Sequence, residues 1–345
     1  MIEGPGVGML TAASVQFRPG AALDLLYRLA ISEPVDIGTM LGSKDVHTFL
    51  GLPAGTPDAV RSGEAVILGA DTATPYASVG PYCAGAPAAI RRAMAVYAAG
   101  IAHHDFDLDG VLLPGGASAL DCGDLPIGDD SQANRDAIRD ACGTVLDRGG
   151  VPLLLGGDDS VPLPLIEALA ARGPLAILQI DAHIDWRDEV GGERLGLSST
   201  MRRASEIAGV GPIVQVGQRS SGSARPADHA DALAAGVVLM SAREVHATGV
   251  AAALAAIPEG ARVLIALDVD AFDPSVVPAV IGQAPGGLTY WQVVELIHGV
   301  AARAPIAGFS CVELVPGRDH DGLSALTVGR VVANVIGAVA RQHLA

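Results

Sequence analysis

The chain has 345 residues, half of them apolar but only 3% aromatic, with 38 acidic against 22 basic side chains and a formal charge of −16. That length can bury a large core as one big domain or two small ones. The acidity argues against nucleic acid or an anionic membrane as a partner, since both are gripped by clusters of Lys and Arg; it is compatible with a cationic substrate.

In chain order, residues 1–60 are punctuated by Gly and Pro around one helical patch, Ala21 to Ile31, where Ala22, Leu25, Leu26 and Leu29 share a face. This stretch reads as an arm packed on the body or on a neighbouring subunit. Residues 61–345 read as a single α/β domain. Strand Ala65 to Gly69 opens it, followed by helix Ala86 to Ala99 and by helix Ser131 to Arg148, with Ser131 as N-cap and Gly149-Gly150 as the stop. Strand Val151 to Leu155, helix Leu163 to Ala171, strand Leu175 to Ile180, a loop from Trp186 to Leu197 and helix Ser199 to Ala208 come next. Strand Pro212 to Val216, a helix near Ala227 to Ala235, strand Val237 to Met240 and a helix around Ala242 to Ala256 lead to strand Val263 to Leu267. After a Pro/Gly-rich loop from Asp273 to Gly287, helix Thr289 to Arg303, strand Ile306 to Cys311 and helix Leu323 to His343 complete the pattern. Such alternation predicts βαβ units around a parallel sheet, and strands apolar on both faces predict helices on both sides.

Cys83, Cys122, Cys142 and Cys311 show no CxxC pair and no disulfide-like spacing, which points to a reducing compartment. The first residues lack a basic segment followed by an apolar one, and no apolar run of membrane-spanning length is free of charge or glycine. The expectation is a cytoplasmic protein without a membrane partner.

Three of the strands end in acidic stations. Gly156-Gly157-Asp158-Asp159-Ser160 follows the first, Asp181-Ala182-His183-Ile184-Asp185 the second and Asp268-Val269-Asp270-Ala271-Phe272-Asp273-Pro274 the third. In open parallel sheets ligands bind outside the carboxyl ends of the strands, where all three stations fall. A lone Asp at a strand end is usually a cap or turn residue. Three stations, with D-x-H-x-D and D-x-D spacings, instead predict a hard-metal site with oxygen ligands and an imidazole, able to hold two ions that share a carboxylate.

These three segments resemble the signatures of the ureohydrolases, the group that includes arginase, agmatinase and related amidinohydrolases. Thr48-Phe49-Leu50-Gly51-Leu52-Pro53, the segment from Asp71 to Arg91, Asp121-Cys122-Gly123-Asp124 and the run Glu193 to Ala204 are similar to further segments of the agmatinase branch. The resemblance implies a three-layer αβα fold with a mostly parallel central sheet. It also implies hydrolysis of a guanidino compound to urea plus an amine by a hydroxide shared between two divalent ions, Mn²⁺ first and Ni²⁺ as the alternative. Carried over by position, Asp181 and Asp268 bridge both ions, Asp159 and Asp185 complete one, and His183 and Asp270 complete the other. Glu313 matches the carboxylate that pairs with the small cationic guanidino substrate, a suitable partner because a planar cation wants an acceptor of two parallel N–H bonds. Asp185, or a group on a loop, passes the proton to the leaving amine. A trimer or hexamer is implied, with or without a paralogous subunit.

The sequence departs from the pattern where the first signature usually reads GGDH and here carries Asp159. A second departure is Leu197-Ser198-Ser199, where agmatinases place a proton-shuttling His; His103, His104, His229, His246 and His320 are among the candidates to replace it. The loop from Pro278 to Gly287 also lacks the usual threonine-rich wording. These changes fit an amidinohydrolase moved to alkylguanidines or biguanides, with Trp186 as an apolar wall or simply a core anchor. They also fit a catalytically degenerate paralogue serving as a partner subunit in a mixed oligomer. A weaker alternative is a hydrolase of formimino or acetylated amines.

Overall fold

The computed structural model describes residues 37–344 apart from Lys44; the expected helix Ala21 to Ile31 lies outside the described residues. The described residues form ten strands: β1 (Ala65–Ala70), β2 (His104–Asp105), β3 (Gly110–Val111), β4 (Ala119–Asp124), β5 (Val151–Gly156), β6 (Leu175–Ile180), β7 (Val210–Val216), β8 (Val238–Met240), β9 (Val263–Asp268) and β10 (Ile306–Val312). Strands β2 and β3 form a small antiparallel hairpin. The other eight make one sheet in the order β4-β1-β5-β10-β9-β6-β7-β8, and every pairing in it is parallel.

Strands β1, β5, β6 and β9 are buried along their whole length, as a sheet covered on both faces requires. On one face Ile67, Leu153, Leu178, Ile265 and Phe309 meet the helices Ala86–Ala95, Ala242–Thr248, Ala251–Ala255, Tyr290–Ala301 and Leu323–Gln342. On the other, Val66, Leu154, Ile177 and Leu264 meet Ser131–Asp147, Pro162–Ala170, Thr200–Ser205 and Pro226–Ala234. The result is the expected αβα sandwich. The helix Leu323–Gln342 is long and apolar enough to cross a membrane, but 78% of its apolar window is buried inside the protein. It is a core helix. All four cysteines are unpaired.

Several local expectations are corrected. Asp130, not Ser131, caps the helix Ser131–Asp147, its Oδ1 accepting from the backbone N–H groups of Gln132 (2.9 Å) and Ala133 (3.1 Å). The helix after β8 is two helices, because Gly249 takes a positive φ (+74°) and stops the first. The helix from Ala86 ends at Ala95, and the one expected from Ser199 spans only Thr200–Ser205.

The segment Asp121 to Asp124 is part of β4, a strand the sequence reading omitted. Asp121 is buried and ion-paired with Arg91 (2.9 Å), and it also accepts from the backbone N–H of Phe49 (2.9 Å). Arg91 bonds Asp124 as well. This buried pair ties the helix Ala86–Ala95 and the segment Phe49–Gly51 to the sheet edge. Phe49, Leu50 and Leu52 are themselves buried in the core.

Candidate metal centre

Strands β5, β10, β9 and β6 are neighbours in the middle of the sheet, and each delivers chemistry at its carboxyl end. Asp159 follows β5, Glu313 follows β10, Asp268 ends β9 with Asp270 just beyond, and Asp181, His183 and Asp185 follow β6. A glycine is required at position 157, where a Cβ would lie 1.7 Å from the carbonyl oxygen of Asp71. Asp185 (φ +44°) and Glu313 (φ +70°) both hold left-handed backbone, strain of the kind that collects at functional sites.

Among the described residues, the atoms that could hold a metal fall into two groups, each with its atoms within 4.8 Å of one another: Asp159, Asp181 and Asp185 in one, Asp181, His183 and Asp270 in the other. Asp181 belongs to both. Asp268 lies outside both groups but lines the same cavity, and its Oδ1 accepts from the backbone N–H of Asp270 (2.8 Å). His183 Nδ1 stands 3.0 Å from Asp270 and 3.4 Å from Asp181.

The donor set suits divalent ions. Burial followed by mutual repulsion pushes the carboxyls of Asp159, Asp185 and Asp268 well above the usual range, and Asp181 is raised for the same reasons. Burial opposes a charge on His183, yet hydrogen bonds to Asp181 and Asp270 raise it to about 12. One imidazole cannot balance so many acids. Asp159 Oδ2 is buried with no hydrogen-bond partner, an orphan that a cation would satisfy. Hard oxygen donors with one imidazole suit a divalent cation.

Three supporting residues escaped the sequence reading. Gln179 Nε2 donates to Asp181 (2.6 Å) and to Asp185 (2.8 Å), and Gln215 Nε2 donates to Gln179 Oε1 and to the carbonyl of Ile184 (2.8 Å). Their signal was a glutamine one place from the end of two otherwise apolar strand ends. Arg219 clamps the segment beyond Asp270 by donating to the carbonyls of Asp270 (2.7 Å), Phe272 (3.0 Å) and Ala284 (2.8 Å).

The cavity over these groups measures about 220 Å³ and is lined also by Tyr82, Trp186, Leu197, Ser198, Ile281 and Gly282. Glu313 faces it, 5% exposed, accepting from the backbone N–H of Asp159 (2.9 Å) and from the Tyr82 hydroxyl. Trp186 both lines the cavity and packs in the core with Met201 and Ala204. None of His103, His104, His229, His246 and His320 lines it. A larger cavity, about 950 Å³, opens at the opposite end of the sheet. Its Arg262, Arg303 and Arg341 are engaged with backbone carbonyls at Gly173, Ile257 and Gly337.

Residues 64–337 match the model of the Arginase family. The chain is 37% identical to an N(1)-aminopropylagmatine ureohydrolase of Thermus thermophilus over 53% of this chain, a match that spans 60% of that relative. It is 28% identical to an agmatinase of Pyrococcus horikoshii over 82% of this chain and 94% of the relative. Among solved structures, proclavaminate amidino hydrolase from Streptomyces clavuligerus superposes with a TM-score of 0.74 at 25% identity, covering 87% of this chain and 99% of that one. Formimidoylglutamase from Bacillus subtilis, at 23% identity and a TM-score of 0.71, shares the fold. With its parallel sheet and its acidic strand ends, the chain belongs to the arginase family.

Proposed function

We propose that the protein hydrolyses a guanidino compound to urea and an amine, with two divalent ions held by Asp159, Asp181, His183, Asp185, Asp268 and Asp270. The observation that carries this reading is the placement of Glu313: a buried carboxylate facing the same small cavity as the two ligand groups. Asp181, being common to both groups, would serve both ions. Asp159 and Asp185 then serve one ion, and His183 and Asp270 the other. Two such ions supply transition-state charge stabilisation and lower the pKa of a water shared between them.

The chain's own residues do the rest. Glu313 receives the N–H edge of the guanidinium and orients its central carbon toward the ligand groups. Trp186, Leu197 and Ile281 wall the cavity with apolar surface and exclude bulk water. Asp185, at the rim of the ligand set, takes the proton from the attacking oxygen and returns it to the leaving nitrogen. Mn²⁺ is the first candidate ion and Ni²⁺ the second. The compartment in this reading is the cytoplasm, and the assembly a trimer or hexamer.

A second reading is favoured by one observation, the acid at position 159. It adds a negative charge to a site already crowded with carboxylates, which makes hydroxide scarcer near neutral pH. On that reading the chain is a low-activity partner of a paralogous subunit. A urea-release screen over agmatine, guanidinobutyrate, arginine, guanidine, dimethylguanidine and biguanides, with Mn²⁺ and Ni²⁺ in parallel, separates the two. Turnover of any of these by the purified chain, lost about a hundredfold or more in Glu313→Gln, supports the enzyme. No urea, with fewer than one ion bound per chain, sinks it.

A further inference from the structure

Tyr82 is not a metal ligand, yet it holds a central position in the cavity. Its hydroxyl stands 2.7 Å from Oε1 and 2.7 Å from Oε2 of Glu313, so it straddles the edge between the two oxygens. A guanidinium paired with a carboxylate lays two parallel N–H bonds across that same edge. Glu313 has little surface free elsewhere. Oε1 already accepts from the backbone N–H of Asp159 (2.9 Å), the Cys83 sulfur lies 4.0 Å from Oε2, and the residue is 5% exposed. Tyr82 sits in the connection between β1 and the helix Ala86–Ala95, flanked by Gly80 and Gly85 at positive φ (+63° and +83°).

We propose that Tyr82 occupies the guanidino seat in the ligand-free protein and must be displaced for the substrate to bind, which makes it a determinant of substrate affinity. The inference rests on Glu313 being the guanidinium acceptor, as argued under the proposed function. Entry of the ligand exchanges one O–H···O bond for two charge-assisted N–H···O bonds, a trade that a two-donor planar cation can complete. Tyr82 therefore differs from a residue that merely props Glu313 in place. Loss of a prop weakens binding, whereas loss of a competitor tightens it.

The test is a calorimetric titration of guanidinium chloride into the Mn²⁺-loaded chain, its Tyr82→Phe variant and a second variant, Tyr82→Leu, with circular dichroism to confirm folding. The expected result is a dissociation constant about tenfold lower in Tyr82→Phe, the equivalent of one displaced hydrogen bond to a charged group, and a shift in the same direction in Tyr82→Leu. Any substrate found to be turned over should show the same sign as a lower KM. Weaker or unchanged binding by a folded Tyr82→Phe variant overturns the inference alone. Absence of guanidinium binding by all three proteins overturns it together with the role given to Glu313.

Discussion

One side-chain amide holds two of the ligand carboxylates in register: Gln179 Nε2 lies 2.6 Å from Asp181 Oδ2 and, on its other side, 2.8 Å from Asp185 Oδ2. Gln179 is in turn fixed by Gln215, so the orientation of both acids is set from inside the sheet, by β6 and β7. Partners behind the ligands commonly change metal affinity by about ten- to a hundredfold. Gln179→Leu should therefore weaken both ions that the cluster would hold, the one at Asp159, Asp181 and Asp185 by that order and the one at Asp181, His183 and Asp270 by less, because Gln179 braces two members of the first group and one of the second. Metal analysis after dialysis against a graded chelator checks this. Unchanged affinity for both ions would show that Gln179 serves packing only.

Asp159→His removes one negative charge from the acidic cluster, where the proposed mechanism would place the attacking water. With less negative charge nearby a proton leaves more readily, so the acidic limb of the urea-release profile should move to lower pH, by about one unit. A pH profile measured with whichever guanidine is turned over checks the sign. A limb that stays in place would mean that Asp159 does not face the ions.

The metal-free chain should lose stability as pH rises. Burial, with lesser charge effects, raises Glu313 to about 8, and burial with repulsion raises Asp159, Asp185 and Asp268. Between its unfolded and its folded pKa each of these acids is more protonated in the native state than in the unfolded one, so unfolding releases protons and becomes easier as pH increases. Thermal melts of chelator-treated protein should fall progressively from about pH 5 to 8. Addition of Mn²⁺ should reverse the trend by binding the native state alone. A melting temperature flat across that range without metal would contradict the cluster's geometry.

Asp273 anchors the loop that carries Ile281 and Gly282 to the cavity wall. Its carboxylate accepts from Ser275 (2.6 Å to the hydroxyl) and from the backbone N–H groups of Gly286 (2.7 Å) and Gly287 (3.2 Å), and these bonds hold it down to about 2. The folded pKa is depressed, so this anchoring is present above the ordinary Asp value and is lost as pH falls toward 2. Asp273→Ala should lower stability by about 1 kcal/mol and expose residues 274–287 to limited proteolysis at neutral pH. Unchanged cleavage would mean that the loop is held elsewhere.

Much of the sheet was legible because its inner strands are unbroken apolar runs that leave no other home for Val263 to Leu267 or Leu175 to Ile180. The acidic stations were equally legible, since carboxylates immediately after buried strands have few structural uses. What stayed hidden has physical reasons. Strand β4 is an edge strand whose second half, Cys122 to Asp124, is partly exposed and polar, so it looks like a loop. Asp130 and Ser131 are both good caps, and only the backbone geometry chooses between them. Gln179 and Gln215 are each unremarkable alone and acquire meaning only when parallel pairing places them side by side. Tyr82 and Glu313 are 231 residues apart in sequence, beyond the reach of any local pattern.

The sheet order has a bearing on how the protein is made. Strand β10 is the last strand in the chain but takes a central place, hydrogen-bonded to β5 on one side and β9 on the other. Until the ribosome has released residues 306–312 and they have slotted into that gap, Glu313 is absent and the two halves of the ligand set are not held at their final spacing. A nascent or C-terminally clipped polypeptide would therefore keep the acids of β6 and β9 together but lack both Glu313 and the strand that sets Asp159 against them, so the complete cluster belongs to the finished molecule.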